Sequence, residues 1–247
     1  MLPAVVLQDG SKVKNALNPY SGPLKPEDVV KGIAAAQQNA RRLLDDAKLL
    51  LEAGRFPSSA ALAILSIEER GKSILLKRLA LLSKPDDLKA TWREYRNHRA
   101  KNAGWIIPSL VMDGDRTMHG MATAIDPNAE HAALLDALKQ ISLYTDCLGK
   151  AHWSIPNDVI DKALARSLVA SAELMWGSRS VTVREIELWS EIVGPHYNLS
   201  SMSEAVLQWQ KVMHKEGLSD VLPETLEAFM RGAPIEMRKP TTKHSGQ

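Results

Sequence analysis

The chain holds a single cysteine, Cys147, among 247 residues. An intramolecular disulfide and a cysteine-built zinc cage are thereby excluded, and a reducing compartment fits. Aromatic residues are scarce, at 5%, and no alternation of period two runs for a useful length, so no strand-built core is expected. No segment reaches the ~18 uninterrupted apolar residues of a membrane span. The opening stretch MLPAVVLQDGSKVKN lacks the basic start and apolar run of a secretory signal. The expectation is a cytoplasmic protein without a membrane segment. Excess charge of one sign is missing as well: the formal net charge is +2, so contact with nucleic acid would have to come from a local patch. There is no Gly-rich phosphate loop, nucleophile elbow or dinucleotide fingerprint.

What remains is helical. With 45% hydrophobic and 24% charged residues, the chain can bury a real core. Residues 1–26 carry Pro19, Gly22, Pro23 and Pro26 and read as an arm with a short strand at 4–7. From 27 to 53, Ala36, Ala40, Leu43, Leu44, Ala47, Leu50 and Leu51 recur at helical spacing, and Gly54 stops the run. Pro57 restarts the chain for a second helix over 61–82, and a third runs from 86 and fades near Pro108. Gly114, Gly120 and Pro127 mark a loop. Helical spacing returns at 129–148, 157–176, 181–192, 203–215 and 223–230. The pattern predicts an all-α helical bundle. It divides into an arm (1–26), a main helical domain (27–180), a C-terminal helical extension packed on it (181–233) and a polar, disordered tail (234–247).

On a helical wheel the second helix places Leu62, Leu65, Leu75, Leu76 and Leu79 on one arc, with Ser66, Arg70 and Lys77 on the opposite, solvent side. Glu68, Glu69 and Lys72 fall inside the apolar arc, where an unpaired charge costs several kcal/mol. Glu68 and Glu69 stand four and three residues before Lys72, so pairing within the helix is easy. The trio reads equally as an ion network that sets helix register and as the lining of a cleft.

The third helix carries Trp92-Arg93-Glu94-Tyr95-Arg96-Asn97-His98-Arg99-Ala100-Lys101, a basic patch with an Arg-x4-His pair. Histidine titrates near neutrality and can move a proton to or from a ribose hydroxyl. Arginine offers a permanent fork of donors to a phosphate. Five residues on an ideal helix are about 140° apart, so Arg93 and His98 do not converge from one straight helix. Arg93 bends round, Arg96 is the nearer phosphate ligand, or a second copy of the chain supplies an equivalent helix. The plainer reading of His98 alone is a helix-edge histidine bonded to Glu94. Two lesser features carry little: Asp113, Asp115 and His119 match no metal-ligand spacing, and Cys147 reads as a small core residue.

The segment Asn39-Ala-Arg-Arg-Leu-Leu-Asp-Asp-Ala…Leu-Leu-Glu-Ala-Gly-Arg-Phe-Pro-Ser-Ser-Ala-Ala-Leu-Ala-Ile-Leu-Ser-Ile-Glu-Glu-Arg-Gly-Lys72 resembles the AbiV abortive-infection family, a branch of the HEPN superfamily. The likeness continues through Trp92 to Lys101 and through Lys139…Leu143-Tyr144-Thr-Asp146…Trp153-Ser-Ile-Pro156. Three blocks in one order are more specific than any short motif. The resemblance implies an all-α HEPN-like bundle with additional C-terminal helices, pairing into a homodimer, and a metal-independent endoribonuclease with no cofactor. RNA is the implied substrate and a phage-encoded protein an implied activator. Carried onto this chain, Arg93 and His98 are the catalytic pair. Glu68, Glu69, Lys72, Arg96, Asn97, Lys101, Tyr144 and Asp146 are candidates for substrate binding or site support. Glu94, directly after the arginine, does not help bind phosphate but stands one turn before His98, where it can orient the ring. The alternative function is a helical module that blocks growth by binding a protein partner, with Glu68, Glu69, Lys72, Tyr144 and Asp146 building the groove.

Overall fold

The computed structural model describes residues 18–107, 124–175 and 179–231. The expected strand at 4–7, the acidic loop around Asp113 and the tail from 234 lie outside the described residues. Ten α-helices form among the described residues, and the chain is all-α apart from one small hairpin.

Helix α1 (Pro26–Glu52) begins with proline at its first position and Glu27 and Asp28 in its first turn, where negative charge meets the free N–H groups. Its buried residues, Val29, Ile33, Ala36, Ala40, Leu43, Leu44 and Ala47, follow the three-and-four spacing that the sequence shows. Gly54, at φ +71°, lets the chain reverse into α2 (Phe56–Leu79). Alanines on both helices permit close packing, and Ser59 and Ser66 on α2 donate to the Ala47 and Ala40 carbonyls of α1, each at 2.7 Å.

Those serines correct the helical wheel. Ser66 is buried, Arg70 donates to the Met175 carbonyl and Lys77 pairs with Glu185. The supposed solvent side of α2 is covered because α2 is the central helix of the bundle. A first core joins it to α1, α5 (Glu130–Leu143) and α7 (Lys162–Leu174) through Leu44, Ile64, Ile67, Leu135, Leu168 and Val169. A second joins Val29 and Ile33 to Leu76, Leu79, Leu88, Trp92 and Ile186.

The third helix is not one helix. α3 (Pro85–Arg96) ends at Asn97, whose backbone is extended (φ −84°, ψ 130°). The Asn97 side chain then accepts from the Arg99 N–H at 2.9 Å and caps a short α4 (His98–Asn102). A 3-10 turn, Ala103–Ile106, follows. The predicted helix over 129–148 stops at Leu143, and an antiparallel hairpin, β1 (Asp146–Leu148) with β2 (His152–Ser154), takes its place. Cys147 is exposed on that hairpin and not in the core.

A single turn, α6 (Pro156–Val159), leads into α7. Helix α8 (Val183–Leu188) continues as a π turn at Trp189–Val193, and α9 (Met202–Lys215) and α10 (Pro223–Met230) complete the order. The C-terminal helices pack on the far end of α2: buried Glu185 receives Lys77 at 3.0 Å, Trp189 donates to the Lys77 carbonyl, and Ser190 donates to the Ala80 carbonyl.

Gly71 is where α4 sits down on α2. A Cβ built there would lie 1.9 Å from the Lys101 carbonyl oxygen, so only glycine lets the two backbones meet. Elsewhere in a helix Gly→Ala gains about 1 kcal/mol from propensity. Here Gly71→Ala is expected to destabilise by about 1–3 kcal/mol through overpacking, read as a lower urea midpoint. A gain in stability would show that the contact is dispensable.

Candidate functional site: a buried carboxylate behind an exposed histidine

Glu68 stands at the middle of α2 with only 2% of its surface exposed. Its carboxylate gathers three groups from two other helices. Lys139 of α5 donates to Oε1 at 2.6 Å, His98 of α4 meets Oε2 through Nδ1 at 2.7 Å, and the Lys101 ammonium lies 3.6 Å from Oε2. Lys139 also pairs with Asp136 at 2.9 Å. Two carboxylates, Glu68 and Asp136, thus meet two buried ammonium groups, Lys139 and Lys101, and their charges balance. Burial holds the Lys101 ammonium below the ordinary lysine value; Glu68 opposes that shift, and neighbouring Lys72 adds to it.

A carboxylate only accepts hydrogen bonds, so Nδ1 of His98 carries the hydrogen facing Glu68. In the neutral ring Nε2 is then the basic nitrogen. The His98 side chain remains 54% exposed, whereas the carboxylate behind it is sealed. The ring is thus held from inside the bundle with about half its surface free for solvent or substrate. The capping of α4 by Asn97 puts His98 in the first turn, and the Gly71 contact brings that turn against α2.

Arg93 is exposed in the last turn of α3 and enters no hydrogen bond or ion pair with another described residue. Because the helix breaks between them, the 140° argument for a straight helix does not apply to Arg93 and His98. Arg96 is engaged elsewhere: it donates to the Trp92 and Tyr20 carbonyls and lies over the Trp92 ring, whose Nε1 donates to the Gly22 carbonyl. Glu94 does not orient His98. It pairs with Arg78, which also donates to Thr91.

The polar trio of α2 splits. Glu68 joins the cluster, while Lys72 bonds Glu69 and lies over the Tyr95 ring, 5.5 Å from its centre. Tyr144 is exposed just past α5, and the Asp146 carboxylate accepts from the Cys147 N–H; neither touches the Glu68 cluster among the described residues.

Sequence reasoning missed Lys139, Asp136 and Asn102. The signal for Lys139 was present: Ala132, Leu135, Lys139 and Ser142 form the buried face of α5, and a lysine on that face poses the same question as Glu68. Asn102, one turn after His98, is fully buried, and neither amide atom finds a partner among the described residues. Among the described residues no three His, Cys, Asp or Glu side chains converge as a metal-binding group, and no helix is long and apolar enough to cross a membrane.

A search of curated proteins and a search of solved structures each returned no match. The family model for AbiV, of HEPN type, matches residues 28–177. That stretch covers more than half the chain and contains Glu68, Arg93, His98 and Lys139, so abortive-infection function of the HEPN type is what the match supports. The chain belongs to the AbiV family of the HEPN superfamily, and its all-α bundle is HEPN-like.

Proposed function

We propose that the protein is a metal-independent endoribonuclease that limits phage growth by cutting RNA. The observation that carries this reading is the Glu68–His98 contact: a buried carboxylate fixes the tautomer and orientation of an exposed imidazole. Nε2 of His98 takes the proton from a ribose 2′-hydroxyl, and the oxygen attacks the adjacent phosphorus. The bond to the 5′-oxygen of the next nucleotide breaks, and that oxygen takes up a proton returned by the imidazole or by water. The products carry a 2′,3′-cyclic phosphate and a 5′-hydroxyl. Arg93 stabilises the charge that develops on the phosphate oxygens. Arg96 is engaged with the Trp92 and Tyr20 carbonyls and Lys101 is buried, whereas Arg93 is exposed in the last turn of α3. A homodimer and a phage-encoded activator belong to the same proposal, on the strength of the family resemblance.

The test is RNA end-mapping after induced expression of the parent and of His98→Ala. Cyclic-phosphate ends should form in the parent and vanish in the variant. Equal ends in both would end the enzyme reading.

A second reading has its own observation. Trp153 and Ile155, two residues apart on and just beyond β2 and so on one face, are 65% and 47% exposed, an apolar surface suited to a protein partner. If Trp153→Ser abolishes defence while His98→Ala leaves it intact, the protein acts by occupancy.

A further inference from the structure

Lys139 is buried, its side chain 4% exposed, on a face of α5 otherwise built of Ala132, Leu135 and Ser142. A lysine there is costly, and the charge of Glu68 alone does not require it, because the Lys101 ammonium already lies 3.6 Å from Oε2. Lys139 also brings a counter-charge of its own, Asp136 at 2.9 Å, whose side chain is 25% exposed. The bundle thus sets a second ion pair against a carboxylate that one ammonium could neutralise.

The point of attachment gives that pair a use. The last torsion of a glutamate side chain is broad, and a histidine held by one carboxylate oxygen is only as fixed as that oxygen. Lys139 donates to Oε1 at 2.6 Å, and His98 Nδ1 meets Oε2 at 2.7 Å. With one oxygen anchored from inside the bundle, the other is held where it meets the ring. The charge of Lys139 acts on the same group. A buried carboxylate alone favours imidazolium and would retain a proton that the ring takes up. An ammonium ion across that carboxylate works against retention, and at a site sealed from water the interaction is weakly screened. Lys101 of α4 works in the same sense, while Glu69 and Lys72 of α2 offset each other as a pair.

We propose that Lys139, backed by Asp136, is a positioning residue for His98 that acts through Glu68: it fixes the carboxylate that orients the ring and opposes the trapping of a proton on the imidazole. The consequence for cleavage rests on the ribonuclease reading, because a base that takes the 2′-hydroxyl proton must also release it. The effect on His98 itself does not.

The full chain, labelled with 15N at histidine, is titrated across the neutral range by nuclear magnetic resonance without RNA. The His98 ring signals are those missing from His98→Ala. Lys139→Met should raise the pH midpoint of His98 by about one unit, and Asp136→Asn, which leaves the Lys139 charge unopposed, should lower it by about half a unit. A defect of packing alone gives no reason for the two midpoints to move in opposite directions. Asp136 is partly exposed, so Asp136→Asn decides the matter if Lys139→Met fails to fold. A midpoint that stays or rises in Asp136→Asn overturns the proposal, and so does one that stays or falls in a folded Lys139→Met. If the midpoints move as stated while the parent cleaves no RNA, the positioning role holds and the ribonuclease reading falls. If the parent cleaves RNA and the midpoints do not move, the reverse is true.

Discussion

Truncating Glu68 to alanine is expected to cost the fold about 3–5 kcal/mol, a fall in Tm on the order of 10 °C for a chain of this size. The reason is what remains behind. Lys139 and Lys101 are 3% and 7% exposed, and removing their shared anion leaves two ammonium groups in the bundle with Asp136 as the remaining carboxylate within reach of Lys139. Glu68→Gln keeps the shape but not the charge and should fall between the parent and alanine. Glu69→Ala, which breaks a partly exposed pair within one helix, should stay within about 1 kcal/mol of the parent. A buried ion cluster is not intrinsically stabilising; it is costly to break in half. The double variant Glu68→Leu with Lys139→Met should therefore recover part of what either single change loses. Chemical unfolding followed by circular dichroism measures all of these. A loss below about 1 kcal/mol in Glu68→Ala would mean that the lysines find water, and that the cluster is not sealed.

The sequence made the helices legible because burial in a bundle leaves a three-and-four spacing, and Val29 to Ala47 shows it along all of α1. It also flagged Glu68, since a charge on an apolar arc needs an explanation. What it hid were two local choices of the backbone. The break at Asn97 has no proline or glycine to announce it; an asparagine that caps α4 through its own side chain reads as an ordinary helix residue until the chain is seen to turn. The hairpin at Asp146–Ser154 is too short for a period-two pattern, with three residues in each strand. The wheel also failed on Ser66, Arg70 and Lys77, because other elements pack over that face of the central helix and its polar residues are satisfied by neighbouring backbones and carboxylates. Partners such as Glu68 and Lys139, 71 residues apart, are set by tertiary packing, and no local rule pairs them.

His98→Ala is expected to lower RNA cleavage by about 10²–10⁴-fold, the usual contribution of a positioned acid–base group. Arg93→Ala is expected to lower it by about 10²–10³-fold, as for loss of one donor to a developing oxyanion. Neither change should lower Tm much: Arg93 is exposed, the His98 side chain is half exposed, and Lys139 still holds Glu68. Arg93→Lys should rescue only in part, because an ammonium does not reproduce the planar fork. The double variant should be less impaired than the product of the two losses, since the groups act on one transition state. These measurements also decide whether a second copy completes the site. Each inactive variant retains the other half of the pair, so if Arg93 of one copy serves His98 of another, mixing the purified variants restores cleavage in the mixed dimers. If both halves come from one chain, no active site forms in the mixture and cleavage stays at the level of the separate variants. Activity in His98→Ala equal to the parent, with Tm unchanged, would remove the imidazole from the chemistry and return the Arg-x4-His pair to a surface feature of α3 and α4.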